Sequence, residues 1–490
     1  MGRDPVKNAM NMIMNKRLLL SLAPGALLMG PLTAQPPSGT SARPNVIYIL
    51  ADDLGLGDLS CYGQKQFRTP NIDKLAARGI RFTQHYAGTT VSAPSRASLL
   101  TGLHSGHAPI RGNKKMEPEG QQPLPEGTFT MSEMFRKAGY ATGAFGKWGL
   151  GGPGSVSTPD RCGFDEFYGY LCQTLAHNYY PPYLWHNGQK VMLPGNADGG
   201  YGQYSQDLIH QNALSFIRKH QKDPFFLFLP YIIPHAELLT PDDSIYARYK
   251  GRFPETPYQG VNSGPTFRSG PYESSATPRA SFAAMVVRLD HYVGEIAALL
   301  QELGIENNTL VIFTSDNGPH QEGGADPDFF NSRAGLRGYK RDLYEGGIRV
   351  PMIACWPGRV LPGTTQHMSA FWDVLPTLAE IAGVSLPGPT DGISFLPTLL
   401  GRGQQKAHDF LYWEFHEKNG SMAVRQGKWK AVRLQIQRPQ ATVTELYDLE
   451  QDPAETRNVA VQNPEIVSRL EQLMKQSHRP NSLFPLLPGE

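Results

Sequence analysis

The sequence predicts an α/β fold: a large mixed sheet sandwiched by helices, with a smaller C-terminal antiparallel sheet and a closing helix. Three observations carry this. Unalternated apolar runs at residues 45–50, 141–145, 225–229 and 310–313 suit strands buried on both faces. Residues 283–303 have helical periodicity and stop at Gly304, a residue suited to the position just past a helix end. After residues 387–397 the texture changes to short runs at 410–415, 422–425, 429–433 and 445–449. These are joined by tight turns such as Lys418-Asn419-Gly420 and followed by a helix near 465–475. The chain divides on this reading into a leader over 1–34, a catalytic α/β domain over 42–385 and a C-terminal subdomain over 386–490.

In chain order, the leader comes first. Lys16-Arg17 precede an apolar run over 18–32, which ends in Leu32-Thr33-Ala34 before the polar Gln35-Pro36-Pro37-Ser38-Gly39. This is the pattern of a signal peptide cleaved near Ala34, with Met14 as an alternative start, and it predicts export to the periplasm or beyond. Pro and Gly interrupt the run, so no stable membrane span is expected in the mature chain. The 490 residues carry a formal net charge of +2 with no basic tract, which argues against nucleic acid as a partner. Of the four cysteines, Cys61, Cys162, Cys172 and Cys355, none makes a metal-ligating pair. Cys162 and Cys172 suit a disulfide or two buried thiols equally.

The first three apolar runs lead into Asp52-Asp53, Gly146-Lys147 and His235, and the fourth into Asp316-Asn317. In open α/β sheets ligands bind beyond the carboxyl ends of the strands, so four segments deliver polar residues to one rim. Asp52, Asp53, Asp316 and Asn317 form an all-oxygen set that suits one hard divalent cation such as Ca²⁺. Between the first two runs stands Ser92-Ala93-Pro94-Ser95-Arg96, a small hydroxyl residue with Pro in the first turn of a helix. That geometry aims backbone N–H groups and an Arg at an anion. The segments 195–204 and 254–277 are rich in Gly, Pro and Ser and read as long loops over the site or surface. Asp290 and His291, within the 283–303 helix, read as surface or supporting residues.

These motifs, from about Asn45 to the Asp448 region, resemble the type I, formylglycine-dependent sulfatases, and in particular bacterial arylsulfatase A-like glycan sulfatases of the Ser type. The resemblance implies the alkaline phosphatase/sulfatase-like fold and a sulfuric ester hydrolase. It implies that Ser92 is oxidised to formylglycine (3-oxoalanine) by a Ser-type radical maturating enzyme in a bacterial host, and that Ser92 joins the four oxygen residues around Ca²⁺. A hydroxyl of the aldehyde hydrate then displaces the alcohol from sulfur, and hemiacetal collapse expels sulfate. Arg96 would steady the hydrate and the metal ligands. Lys147 and Lys340 match the family lysines that hold sulfate and leaving oxygens. His235 matches the histidine that contacts sulfate and protonates the leaving alcohol, and Glu345-Gly346-Gly347-Ile348-Arg349 matches a supporting segment. One departure stands out: Gly149 occupies the place of the family histidine that triggers collapse, and His177 is expected to replace it from another loop.

Substrate contacts are expected from His177, Asn178, His320 and Asp326, with Glu414 or His416 from the C-terminal sheet. Tyr179, Tyr180, Trp185 and Phe329 are candidate stacking faces for a sugar. The resemblance points to an exo-acting galactose or N-acetylgalactosamine sulfatase, 4-O slightly ahead of 6-O. The competing readings are a phosphate mono- or diester hydrolase on the same fold, disfavoured by Asn317, and an exported glycan-binding protein with a dead site.

Overall fold

Strand β1 (Asn45–Ala51) lies inside the large sheet, and all seven of its residues are buried, as its unbroken apolar composition demands. The computed structural model describes residues 43–490; the leader expected over 1–34 lies outside them. The remaining strands of the sheet are β2 (Ile80–Tyr86), β3 (Ala141–Lys147), β4 (Glu166–Tyr170), β5 (Tyr183–His186), β6 (Gln189–Met192), β7 (Phe225–Pro230), β8 (Thr309–Ser315), β9 (Arg349–Cys355), β10 (Gly363–Thr365) and β11 (Ser369–Ala370). Their order is β10-β2-β9-β8-β1-β7-β3-β4-β5-β6, with β11 beside β2. The block β8-β1-β7-β3-β4 is parallel throughout, so β1, β3, β7 and β8 all end on one edge. Strand β9 runs antiparallel between β2 and β8, and β5 and β6 close the other end antiparallel, making the sheet mixed as expected.

Alternate residues of β1 feed two cores. Ile47 and Ile49 pack toward the helices Ser205–Lys219 and Pro278–Glu302, while Val46, Tyr48 and Leu50 pack toward Ser92–Thr101, Met131–Lys137 and Val374–Ala382. The long helix ends as the sequence predicts, with Gly304 left-handed at φ +68°. Asp290 within it is buried and accepts the backbone N–H groups of Asn71 and Ile72 at 2.9 and 2.8 Å. It thereby caps the helix Pro70–Arg78, whose own Thr69 makes no side-chain cap, whereas His291 is exposed.

A second sheet is a meander of β12 (Leu411–Phe415), β13 (Ser421–Gln426), β14 (Trp429–Leu434) and β15 (Val443–Asp448). One face packs Trp413, Phe415 and Val432 against Tyr86, Val91 and Trp372; the other packs Tyr412, Val424 and Leu446 against the helix Pro464–Ser477. Both sheets belong to one compact unit over 42–490. Cys162 and Cys172 are buried free thiols rather than a bridge, and burial pushes the Cys162 thiol up to about 12. No helix among the described residues is long and apolar enough to cross a membrane.

Candidate active site

The common edge of β1, β3, β7 and β8 is where the predicted residues meet. Ser92 opens the helix Ser92–Thr101, and its Oγ lies 3.0 Å from Asp52 Oδ1, 2.7 Å from Asp316 Oδ2 and 3.2 Å from Lys147 Nζ. Arg96, one turn on and buried, donates from Nε and Nη2 to Asp316 Oδ2 at 3.2 and 2.9 Å and from Nη1 to the Lys147 carbonyl at 3.1 Å. The arginine thus locks the end of β8 to the end of β3. Ser95 Oγ donates to the Asp316 carbonyl at 2.6 Å and pins the same helix turn to the same strand end.

Asp53 takes a left-handed backbone, φ +60°, which a non-glycine residue holds only against a local penalty. Its N–H reaches Asp316 Oδ1 at 3.1 Å, and its carboxylate receives Asn317 Nδ2 at 2.7 Å and Lys340 Nζ at 2.9 Å. The loop after β8 must run tight against the segment before β9: a Cβ on Gly318 would lie 1.9 Å from the Gly346 carbonyl oxygen. That contact explains the glycine in Asp316-Asn317-Gly318 without invoking a flexible backbone.

Four carboxylates, Asp52, Asp53, Asp316 and Glu322, face four cations, Arg96, Lys147, Lys340 and Arg341. Burial pushes the Asp316 carboxyl above its usual range, with the Asp52 charge adding to it, and pulls the Lys147 ammonium down against the opposing pull of Asp52. For Lys340 burial acts downward too, but Asp53 and Glu322 outweigh it and hold the ammonium above its ordinary value. Burial likewise works to raise the Glu322 carboxyl, and Lys340, His320 and Arg341 together hold it well below the usual range.

An all-oxygen cation site fits this donor set. Asn317 Oδ1 is buried and accepts from nothing, while its Nδ2 is fully engaged, so the amide presents one oxygen without a partner. Asp52, Asp53 and Asp316 stand beside it, and their charge is what a divalent cation would meet. His235 also approaches, with Nε2 3.3 Å from Asp53 Oδ2. That nitrogen lies 3.0 Å from Lys340 Nζ, while Nδ1 lies 2.5 Å from the Ala236 carbonyl. The contacts assign a proton to Nδ1 and leave Nε2 as an acceptor. Burial, then Lys340, hold the ring well below its ordinary value, so it is neutral.

Above Ser92 opens a cavity of about 170 Å³, walled among others by Lys147, Gln173, His177, His235, Tyr272, Glu322, Lys340 and Arg341. His177 stacks on His235 with ring centres 5.2 Å apart, and its Nδ1 lies 2.9 Å from the Gly270 carbonyl; burial lowers its ring to about 4. The space directly over Gly149 is taken by Gln173, not by His177.

Three expected substrate residues are not on this wall. Asn178 is buried and ties Glu237, the Pro271 carbonyl and the Gly270 N–H together. His320 is buried behind His235, its ring stacked at 5.4 Å and its Nε2 on the Pro234 carbonyl. Asp326 pairs with Arg279 at 2.6 Å. Glu414 and His416 are absent too: Glu414 is buried among Tyr412, His416 and His478, at 2.8, 3.0 and 2.7 Å. Of the expected stacking faces, Trp185 donates to Glu119 and Phe329 packs on Phe330 and Arg279. Conversely Glu322, Tyr272, Gln173 and Arg341 line the cavity unforeseen. Glu322 follows Asn317 by five residues and Arg341 adjoins Lys340, so both were within reach of the motifs; Gln173 and Tyr272 carry no sequence signal.

A nucleophile-position hydroxyl, clustered carboxylates and buried ammoniums on the rim of a parallel sheet define a hydrolase of anionic esters. The chain belongs to the Sulfatase family, whose profile matches residues 44–384, and it is a sulfuric ester hydrolase. A second profile, N-sulphoglucosamine sulphohydrolase, C-terminal, matches residues 337–480. Among relatives, arylsulfatase A of Homo sapiens is 33% identical over 94% of this chain and 90% of that protein. N-acetylgalactosamine-6-O-sulfatase of Bacteroides thetaiotaomicron is 31% identical over 94% of this chain and 99% of that protein. Among solved structures, Ps i-CgsB in complex with k-i-k-neocarrahexaose superposes with a TM-score of 0.73, at 29% identity, over 89% of this chain and 93% of that one.

Proposed function

We propose that this sulfatase removes a sulfate ester from galactose or N-acetylgalactosamine in a glycan, with Ser92 oxidised to formylglycine and one Ca²⁺ in the carboxylate cluster. The observation that carries the proposal is the position of Ser92 Oγ, within 3.2 Å of two carboxylates and an ammonium, at the N-terminal end of a buried helix. Bound groups would supply two things: Ca²⁺, held by Asp52, Asp53, Asp316, Asn317 and the residue-92 oxygen, neutralises substrate charge, and the hydrated aldehyde offers a nucleophile able to release sulfate afterwards.

The chain's own residues do the rest. Lys147 and Lys340 bind sulfate oxygens, each already aimed by a carboxylate. Arg96 keeps Asp316 and the Lys147 backbone in register. Asp53 and Glu322 keep Lys340 charged, so the proton needed by the leaving oxygen, expected from the sequence at His235, is held at Lys340 Nζ, next to the lone pair of His235 Nε2. His177, neutral and with Nε2 unengaged, is the proposed proton acceptor for sulfate release. Glycan action is supported by the two carbohydrate-named relatives above. Export to the periplasm or outside a bacterial cell, and modification by a radical maturase, belong to the same proposal.

The test is a panel of 4-O- and 6-O-sulfated galactose and N-acetylgalactosamine, with the phosphate ester of the same sugar as control. Sulfate release from one sulfated sugar at a kcat/KM at least a hundredfold above the phosphate supports the reading. Faster phosphate release overturns it in favour of a phosphohydrolase.

A further inference from the structure

We infer that Gln173 is a substrate-binding residue whose side-chain amide donates a hydrogen bond to the sulfate group, a role that rests on the sulfatase reading of the cavity. Gln173 is 7% exposed and lies on the wall of the same cavity as Ser92, Lys147 and His177. Its main chain is fixed, the N–H donating to Gln121 Oε1 at 2.7 Å. Its side chain is not: Nε2 is buried and donates to nothing. Of the other amides on that wall, the exposed Asn113 accepts the Ala93 N–H at Oδ1 and Gln121 accepts the Gln173 N–H at Oε1, and neither holds a buried N–H₂ without an acceptor as Gln173 does. A buried amide N–H₂ without an acceptor is unfavourable, and where one persists beside a cavity a ligand acceptor is the natural partner.

The backbone opposite makes room for this amide. Gly149 follows β3 with φ +74°, and a Cβ there would stand 2.8 Å from Gln173 Nε2 and 2.9 Å from its Cγ. A side chain at 149 would therefore be strained in its own conformation and would collide with Gln173. The three lysines of the cavity are already drawn to acids, Lys115 to Glu117, Lys147 to Asp52 and Lys340 to Asp53 and Glu322. Gln173 is neutral and has no acid to satisfy. A sulfate ester presents only acceptor oxygens, which is what such a donor lacks.

The experiment measures inorganic sulfate binding calorimetrically on the Ca²⁺-saturated protein with Ser92 unmodified, so that no turnover is required. Gln173→Met and Gln173→Glu, which keep the length of the side chain without a donor, should bind sulfate roughly ten- to a hundredfold more weakly. Gln173→His, which restores a donor, should return to within about threefold. In the matured enzyme KM for the sulfated substrate should rise in step, and product inhibition by sulfate should weaken, with the thermal midpoint unchanged in at least one variant. Wild-type affinity in both Gln173→Met and Gln173→Glu would overturn the inference alone. Sulfate binding absent from the wild type would overturn it together with the sulfatase reading of the cavity.

Discussion

Replacing Lys340 by Met keeps the length of the side chain and removes only the ammonium, which separates charge from packing at the centre of the site. Nζ contacts Asp53 at 2.9 Å, Glu322 at 3.0 Å and His235 Nε2 at 3.0 Å. After the substitution Asp53 keeps Asn317 at 2.7 Å, and Glu322 keeps Arg341 at 2.5 Å. Neither carboxylate is then wholly unpaired, and the stability loss belongs at the low end of the range for a broken buried pair, about 3 kcal/mol. The chemical step loses a preorganised donor at the leaving oxygen, worth roughly a hundred- to a thousandfold in kcat. The cluster also loses one positive charge. Like charges 4 Å apart repel by about 4 kcal/mol at an effective dielectric of about 20, so Ca²⁺ binding should tighten by roughly tenfold or more. The assay pairs turnover of a sulfated aryl ester with Ca²⁺ titration followed by thermal unfolding. Turnover within threefold of wild type, or weaker Ca²⁺ binding, would refute the charge account.

His177→Gln should lower kcat by roughly a hundredfold, read from turnover against pH. Its stability effect has a definite sign: the folded ring is depressed to about 4 against about 6.5 unfolded, so wild type loses stability as pH falls from about 6.5 toward 4. His177→Gln should lack that loss, about 2 kcal/mol after discounting for the partial exposure of the ring, in denaturant titrations at the two pH values. Asp290→Ala, which strips the cap from the helix Pro70–Arg78, should destabilise the fold by roughly 2–3 kcal/mol while leaving kcat/KM unchanged. Asn317→Leu removes the buried oxygen that has no protein partner and should weaken Ca²⁺ binding at least roughly tenfold, measured by calorimetry.

The strands that carry the site were legible because each is an apolar run that stops abruptly at a polar residue, as β1 does at Asp52 and β8 at Asp316. The four short strands and helix of the second sheet were legible for a related reason, each being bounded by turn residues such as Lys418, Asn419 and Gly420, all left-handed in the structure. Strand β2 was not: it mixes charged and apolar residues, and its pairing with β9, nearly 270 residues on, is long-range. The three-residue β10 has no pattern to read.

Among site residues, those following strand ends or opening a helix were found, because sheet geometry alone brings them together. Of the loop residues on the wall, His235 and Lys340 were reached through the family resemblance and His177 as the stand-in for the histidine absent at Gly149; the others were not, since neither the path of a loop nor its contacts are encoded in spacing. Asn178 and His320 carried polar side chains in suggestive company and turned out to hold loops in place. Gln173, in an unremarkable stretch, ended on the cavity wall because Gly149 leaves space for it.

The central claim is that residue 92 works as formylglycine, and peptide mass spectrometry across Ser92, on protein from a host equipped with the Ser-type maturase, tests it most directly when paired with turnover of a sulfated aryl ester. The account predicts a residue two hydrogens lighter than serine, or its hydrate, in the protein that releases sulfate. Unmodified Ser92 in protein that turns over the ester fully would contradict it.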